Sequence, residues 1–378
     1  MHEEEAAARE RIAPARALPD PMVSLTYQNV DGRPTLGAME TNALSLMVTQ
    51  TFPWAGKRDL DAGLAATRAS LPAVGARRMQ RKLEGDARRT LAELLVARAK
   101  IESLAAQQLL DETIEGAARI AYETGTGSQA DLIRAGTLRM RVEAMVLEER
   151  EMERSALAML NSLRGKGADT PFDTPSPLEA LGTGPGGIPA LELLLAEVER
   201  ESPELAAAKI EAEGARLGAE RARLELRPDI SLSGGYMNRG DERPMFLVGI
   251  GASLPIFAGS RQRPMIAEAE AMARSASARV EELRRELAGS VARMRIGLAS
   301  ARERAELLGG AILVRDRLAS ESALADYRAG RGTMAMALEA QGRLLEDSRA
   351  AIEQQGRARW WAASLAEASL APPEPPWK

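Results

Sequence analysis

The sequence predicts a mostly α-helical chain with a small β part: long antiparallel α-hairpins joined to four β-strands, all within an internal duplication. Three observations carry this. First, Tyr122-Glu-Thr-Gly125-Thr-Gly127-Ser128 returns as Tyr327-Arg-Ala-Gly330-Arg-Gly332-Thr333, and Phe52-Pro53-Trp-Ala-Gly56 returns as Leu254-Pro255-Ile-Phe-Ala-Gly259. Pro53 precedes Tyr122 by 69 residues and Pro255 precedes Tyr327 by 72, so a unit of about 200 residues is present twice, far longer than a solenoid repeat. Second, the 378 residues hold only 3% aromatics, and the dominance of Ala, Leu, Arg and Glu favours long helices packed along narrow seams. Third, each copy contains two segments of strand-like alternation.

Residues 22–30 place Val23, Leu25 and Tyr27 on one face and Ser24, Thr26 and Gln28 on the other, a strand with one apolar side. Asp31-Gly-Arg-Pro34 turns the chain, and residues 42–52 return with Leu44, Leu46 and Val48 on one face. The second copy follows over 229–238, where Ile230, Leu232 and Tyr236 alternate with Ser231 and Ser233. It continues over 245–255, where Phe246, Val248, Ile250, Ala252 and Leu254 form a period-two stripe backed by Gly249, Gly251 and Ser253. Strands of about 9–11 residues can cross a bilayer as tilted barrel strands. Phe52, Trp54 and Phe257 fall at the helix-facing ends and Tyr27, Tyr236 and Phe246 toward the turns, as two interfacial girdles require. Four strands cannot close a barrel, and open edges are not tolerated in hydrocarbon, so several chains have to pool their strands.

Helices are expected over 57–122 and 261–328, each about 100 Å long if continuous. Pro72 predicts a kink or a start in the first. The second carries Val280, Leu283, Leu287, Met294, Leu298, Ala301, Ala305, Leu308 and Ile312 at the three-four spacing of a weakly supercoiling coiled coil. The Tyr-x-x-Gly-x-Gly-Ser/Thr motif then reverses the chain. Gly125 and Gly330 suit left-handed helix caps, Ser128 and Thr333 suit the next N-caps, and Asp131 can complete a capping box. Returning helices follow over 128–163 and 333–370. The first repeat thus covers 1–163 and a Pro/Gly-rich connection covers 164–189. The second repeat covers 190–370, opening on a helix over 190–226, and a tail covers 371–378.

Composition excludes much chemistry. With no cysteine and only His2 as an imidazole, disulfides, thiol catalysis and thiolate metal sites are ruled out. A net charge of −4, with no basic run interleaved with aromatics, gives no nucleic-acid footprint. No run approaches the roughly 20 apolar residues of a membrane-spanning helix. The opening Met1-His-Glu-Glu-Glu-Ala lacks the basic and apolar regions of a secretory signal, which by itself reads as a cytoplasmic chain. Gly182-Thr-Gly-Pro-Gly-Gly187 follows no strand and contains proline, so it reads as a linker rather than a phosphate cradle. Carboxylate pairs such as Glu148-Glu149 and Glu281-Glu282 sit among arginines, as on a solvated helix face. Met334 and Met336 are the one candidate for soft metal contacts, against ordinary flexible packing. Asp131 and, at the corresponding turn of copy two, Glu339 are either helix-end carboxylates or, around an axis of several chains, rings of charge across a pore. No cofactor and no catalysis are expected.

Together, Leu18-Pro-Asp20-Pro21-Met-Val-Ser-Leu, Gln50-Thr-Phe-Pro53-Trp-Ala-Gly56-Lys57-Arg58, Ser202-Pro203-Glu204-Leu205, Arg227-Pro228-Asp229 and both tip motifs resemble the TolC family of outer-membrane efflux ducts, in particular its heavy-metal-efflux (Cus/Czc-like) branch. The resemblance covers about residues 15–370. It implies a homotrimer whose strands form one twelve-stranded barrel in outer-membrane lipid, continued by an α-helical tunnel in the periplasm. It implies a passive duct serving a periplasmic adaptor protein and an inner-membrane pump. Tyr122, Gly125, Gly127, Ser128, Tyr327, Gly330, Gly332 and Thr333 fall on the adaptor-facing tips. Pro53, Gly56, Pro255 and Gly259 mark the barrel-tunnel junction. Asp131, Glu339 and Met336 fall near the family's acidic constriction, with Met336 where some members are acidic. Family members also have a signal peptide and a helix before strand one. Here about 20 residues precede Pro21, so the expectation is that either the start is truncated or misassigned, or the first copy lacks a tunnel helix. The alternative to a duct is a coiled-coil scaffold with short structural β-hairpins.

Overall fold

The computed structural model describes residues 2–29, 42–177, 180, 187–239 and 242–369. Two short helices, α1 (His2–Arg9) and α2 (Ile12–Arg16), precede the hairpin of β1 (Met22–Asn29) and β2 (Asn42–Phe52). The long α3 (Lys57–Glu123) and α4 (Gln129–Leu163) follow. The second copy comprises α5 (Leu191–Glu201), α6 (Pro203–Arg223), a 3-10 turn (Leu224–Leu226), β3 (Ile230–Arg239) and β4 (Glu242–Ala252). It ends with α7 (Gln262–Glu306), a π-helical segment (Leu307–Ile312), α8 (Leu313–Arg328) and α9 (Met334–Ser369). The expected turn at 31–34, residues 182–186 of the glycine-rich connection and the tail 371–378 lie outside the described residues.

Several elements differ from expectation, each for a local reason. The helix over 190–226 is two helices, because Ser202 precedes Pro203 and takes an extended conformation (φ −62°, ψ 119°), as residues before proline do. The helix over 261–328 is interrupted by the π segment, which contains Gly309-Gly310, where the absence of side chains weakens α-helical geometry. β4 runs over Glu242–Ala252 rather than 245–255, and Pro244 enters it beside a register shift between Met237 and Arg239. A bulge accommodates a residue with no N–H to donate. Pro72 does not start a helix: α3 begins at Lys57 and continues through it.

The four strands form one antiparallel sheet in the order β1-β2-β3-β4, so the two copies pair directly through β2 and β3. The register aligns Leu25, Leu46, Tyr236 and Phe246 in one row and Val23, Val48, Gly234 and Val248 in the next. Tyr236 and Phe246 meet edge to face with ring centroids 5.6 Å apart, a favoured aromatic geometry. The opposite face is mixed: Thr49, Ser233 and Gly249 share one row and Ser24, Met47, Gly235 and Leu247 the next.

The chain packs as two compact units that each draw on both copies: one from residues up to Arg78 and from Pro203 to Arg284, the other from Met79–Ser202 and from Arg285 onward. In the first, Arg221 Nε lies 2.9 Å from Asp61 of α3, and Arg223 Nη2 lies 2.7 Å from Glu270 of α7, so α6 is tied to both neighbours. In the second, Leu194 and Val198 of α5 pack with Val291 and Leu298 of α7 and Leu365 of α9. Val291, fully buried, fills the step between Leu287 and Met294 in the expected seam. Gly297 lets Trp361 approach, since a Cβ there would stand 2.6 Å from the indole.

Candidate functional site

Both tip turns are built by the same backbone bonds. In copy one the N–H groups of Thr126 and Gly127 both donate to the Ala121 carbonyl, each at 2.8 Å. In copy two Arg331 and Gly332 donate to the Asp326 carbonyl at 2.9 and 3.1 Å. These bonds gather the last carbonyls of α3 and α8. Gly125 (φ 74°) and Gly330 (φ 71°) take the left-handed conformation, which a β-branched residue adopts only under strain. Gly127 answers a different demand: a Cβ there would meet Ala121 Cβ at 2.8 Å. Tyr122 is exposed, whereas Tyr327 packs against the tip core. Burial and then the charge of Asp131 raise the Tyr327 phenol above its ordinary value.

The N-caps follow. Asp131 N–H donates to Ser128 Oγ at 3.2 Å, and Met336 N–H donates to Thr333 Oγ1 at 3.3 Å. The Asp131 carboxylate accepts from the Ser128 hydroxyl at 2.8 Å, so it closes on the cap side chain rather than completing the backbone half of a capping box. Matching the turns pairs Asp131 with Met336, 205 residues on, which corrects the pairing of Asp131 with Glu339. Glu339 is exposed and lies 2.6 Å from Arg343.

Met334 and Met336 do not converge. Met334 is 1% exposed within the apolar cluster of Ile114, Ala118, Ala135, Leu324 and Ala337, while Met336 is 60% exposed. Two residues apart on a helix, they project in different directions. Met334 is core packing. Among the described residues no group of His, Cys, Asp or Glu is placed to hold a metal ion.

At the first junction Pro53 leads into Gly56 (φ 88°), and the chain enters α3 through Lys57 N–H donating to the Trp54 carbonyl at 3.1 Å. The second junction differs: Gly259 lies outside the left-handed region, and successive turns from Pro255 carry the chain to Gln262. Lys57, which follows Gly56 at this junction and carries no signal of burial in the sequence, is 2% exposed. Its Nζ lies 2.9 Å from Asp229 Oδ1 and 3.7 Å from Glu225 Oε1. Trp54 N–H donates to the same Asp229 oxygen at 2.7 Å. Burial alone would raise the Asp229 carboxyl, but these two hydrogen bonds and the charges of Lys57 and Arg221 outweigh it and hold it below its ordinary value.

The apolar sheet face is open: Phe246, Val248 and Ile250 are each more than 80% exposed. On the helices, Ile133, Met140 and Leu147 of α4 are exposed at seven-residue intervals, and Leu307, Val314 and Leu318 are exposed along the π segment and α8. Among the described residues no helix is long and apolar enough to cross a membrane.

A four-stranded sheet with one apolar face, joined twice over to long helical hairpins, is the protomer fold of outer-membrane channels of the TolC type. Residues 194–369, within the second copy, match the family model described as outer membrane efflux protein. Among solved structures the chain is similar to CusC, with a TM-score of 0.80 and 16% identity over 97% of this chain and 86% of that one. It is similar to the outer-membrane channel OprN, with a TM-score of 0.79 and 16% identity over 97% and 84%. The outer membrane protein VceC of Vibrio cholerae gives 0.77 and 21% over 97% and 91%. These likenesses establish the fold. No curated protein matches the chain.

Proposed function

We propose that the chain is the passive exit duct of a tripartite efflux system, a homotrimer in the outer membrane whose helices continue as a tunnel into the periplasm. The observation that carries this is the open apolar sheet face. Water does not tolerate a continuous row such as Leu25, Leu46, Tyr236 and Phe246 on a scaffold's surface, whereas lipid does. β1 and β4 are the outer strands of the sheet among the described residues, which supports assembly, because a spanning sheet has to close.

The duplication supports the same assembly. Within the chain α9 is held against α3 and α4, through Leu95, Ala99 and Ile352 and through Lys100, Glu149 and Arg349. Its repeat counterpart α4 and the counterpart of α3, the π segment with α8, expose apolar seams. A neighbouring copy placing its α8 on this α4 repeats between chains the packing seen within one. Three chains then give six similar hairpins around an axis.

In this reading the repeats 1–163 and 190–370 are equivalent staves, and Pro53, Gly56, Pro255 and Gly259 mark where strand becomes helix. The tip residues Tyr122, Gly125, Gly127, Ser128, Tyr327, Gly330, Gly332 and Thr333 meet a periplasmic adaptor that couples the duct to an inner-membrane pump. Asp131, Met336 and Glu339 narrow the tunnel near the tip. The duct catalyses nothing, and the pump selects cargo, whether metal ions or organic compounds. Assignment to the heavy-metal branch rests on the motif likeness alone.

The test is purification from outer-membrane fractions, mass measurement in detergent and conductance in planar bilayers. A trimer with discrete conductance is expected. A water-extractable monomer without conductance would refute the proposal. Val248→Arg is expected to destabilise the inserted state by about 2–4 kcal/mol, read as reduced recovery in vesicles.

A further inference from the structure

Near the tips, two apolar layers of the helical core bracket a polar one. On one side lie Leu104, Val142, Val146 and Leu345, and on the other the cluster around Ile114, Leu324 and Ala337. Between these levels stand Gln107 and Asp111 on α3, Ser320 on α8 and Gln341 on α9, all buried, with Asp111 1% and Gln341 0% exposed. Gln107 Nε2 donates to Asp111 Oδ1 at 2.9 Å, and Ser320 Oγ donates to Gln341 Oε1 at 2.5 Å. Asp111 Oδ2 and Gln341 Nε2 are left buried without a hydrogen-bond partner among the described residues. Buried polar atoms are almost always paired, and a buried carboxylate without a cation is the least tolerable exception.

We propose that this layer is a proton-operated joint between the two tip hairpins: a proton on Asp111 tightens the packing of α3 against α8 and α9, and its loss loosens it. A protonated Asp111 turns the orphan acceptor into a neutral carboxyl that the layer can hold; an ionised one favours opening to water. Burial, only partly opposed by the bond from Gln107, pushes this carboxyl up to about 6 from 3.8, a preference for the proton of roughly 100-fold. Because the packed-state value is the higher one, the joint is tightest below the ordinary value and weakens as pH rises toward and through about 6.

Other charged groups at this level are engaged or turned outward. Glu115 of α3 pairs with Arg119 and with Arg139 of α4. Glu112 of α3, Arg134 and Arg141 of α4, and Arg317 and Glu321 of α8 are exposed, as are Glu339 and Arg343 of α9, which pair with each other. Asp316 of α8, the duplicate's counterpart of Asp111, is the exception: it hydrogen-bonds Asp347 of α9 but also keeps a buried Oδ2 without a partner among the described residues. Burial first, then that bond and the charges of Asp316 and Glu346, against Arg343, raise Asp347 as well. It is therefore the control. The joint rests on packing within one chain and does not depend on the duct reading.

The experiment is hydrogen exchange by mass spectrometry on the full chain in detergent, at about pH 5 and about pH 7.5, corrected for intrinsic rates. Peptides spanning 107–114 and 320–341 are expected to lose protection at least tenfold at the higher pH in the wild type. Asp111→Asn is expected to abolish that difference, and Asp347→Asn to preserve it. Gln107→Met, which removes the bond favouring the charged form, is expected to move the transition to higher pH, and it keeps the test available if Asp111→Asn fails to fold. Protection independent of pH in the wild type, unchanged pH dependence in Asp111→Asn, its loss in Asp347→Asn or an unmoved transition in Gln107→Met would overturn the joint.

Discussion

The ion pair at the first junction ought to be asymmetric in its energetics. Lys57 is 2% exposed and its ammonium faces Asp229 at 2.9 Å, Glu225 at 3.7 Å and the Arg227 carbonyl at 3.4 Å. The Asp229 side chain is 30% exposed and keeps the Trp54 N–H whether or not Lys57 is present. Asp229→Asn therefore leaves a buried cation with a neutral amide oxygen, one distant carboxylate and one carbonyl. Removing one partner of a buried pair costs about 3–5 kcal/mol, and the residual Glu225 contact places this case near about 3. Lys57→Met fills the same volume and leaves a carboxylate that water can reach, at a cost of about 1 kcal/mol. The assay is exchange of amides 52–60 and 225–232, converted to local opening free energies. Equal losses, or a larger loss for Lys57→Met, would refute the burial argument. The pH dependence has a fixed sign. Asp229 is held below its ordinary value, so its contribution is complete above that value and is lost as pH falls through the lower, folded one. Acid loosening of this junction is expected in the wild type and absent in Asp229→Asn.

Two further substitutions probe the second unit. Glu149, 4% exposed, accepts from Arg349 at 3.1 Å and lies 3.2 Å from the Lys100 ammonium, while Glu353 accepts from Lys100 with a side chain 42% exposed. Glu149→Ala should cost about 3 kcal/mol and Glu353→Ala under about 1, measured as exchange protection over 95–105 and 345–355. Gly330→Val forces a left-handed β-branched residue at about 1–2 kcal/mol. It should raise exchange at 329–336 and weaken crosslinking to an adaptor while trimers persist; unchanged crosslinking would separate this turn from partner contact.

What was legible in the sequence was whatever a short segment settles alone. Period-two stripes announced the strands, because one face of each is apolar throughout. The tip glycines were legible because a left-handed cap has few alternatives. The break at Ser202 also had a local signal, the following proline, which the helical pattern on either side obscured. What was illegible depends on distant chain. Asp111 reads as a polar position on a charged helix, and its burial is set by neighbouring helices that no local pattern announces. Lys57 reads as a solvated lysine until Asp229 closes over it. The correspondence of Asp131 with Met336 follows from the turn bonds and not from residue type, since the nearest acidic residue beyond the second turn is Glu339.

The duplicated turns separate what a tip partner can read from what it cannot. Ala121 and Asp326 accept the same pair of backbone donors, and Gly125 and Gly330 share one conformation within a few degrees. The side chains between these fixed points have diverged: Glu123 and Thr126 in one copy stand where Arg328 and Arg331 stand in the other. A partner that engaged both tips through charge would meet opposite signs at neighbouring positions, and like-charge contacts at one of them. A partner that engaged them through backbone shape would meet the same surface twice. Three chains would then offer six equivalent turns from two unlike sequences, so loss of a turn glycine in either copy should harm docking more than reversal of Glu123 or Arg328.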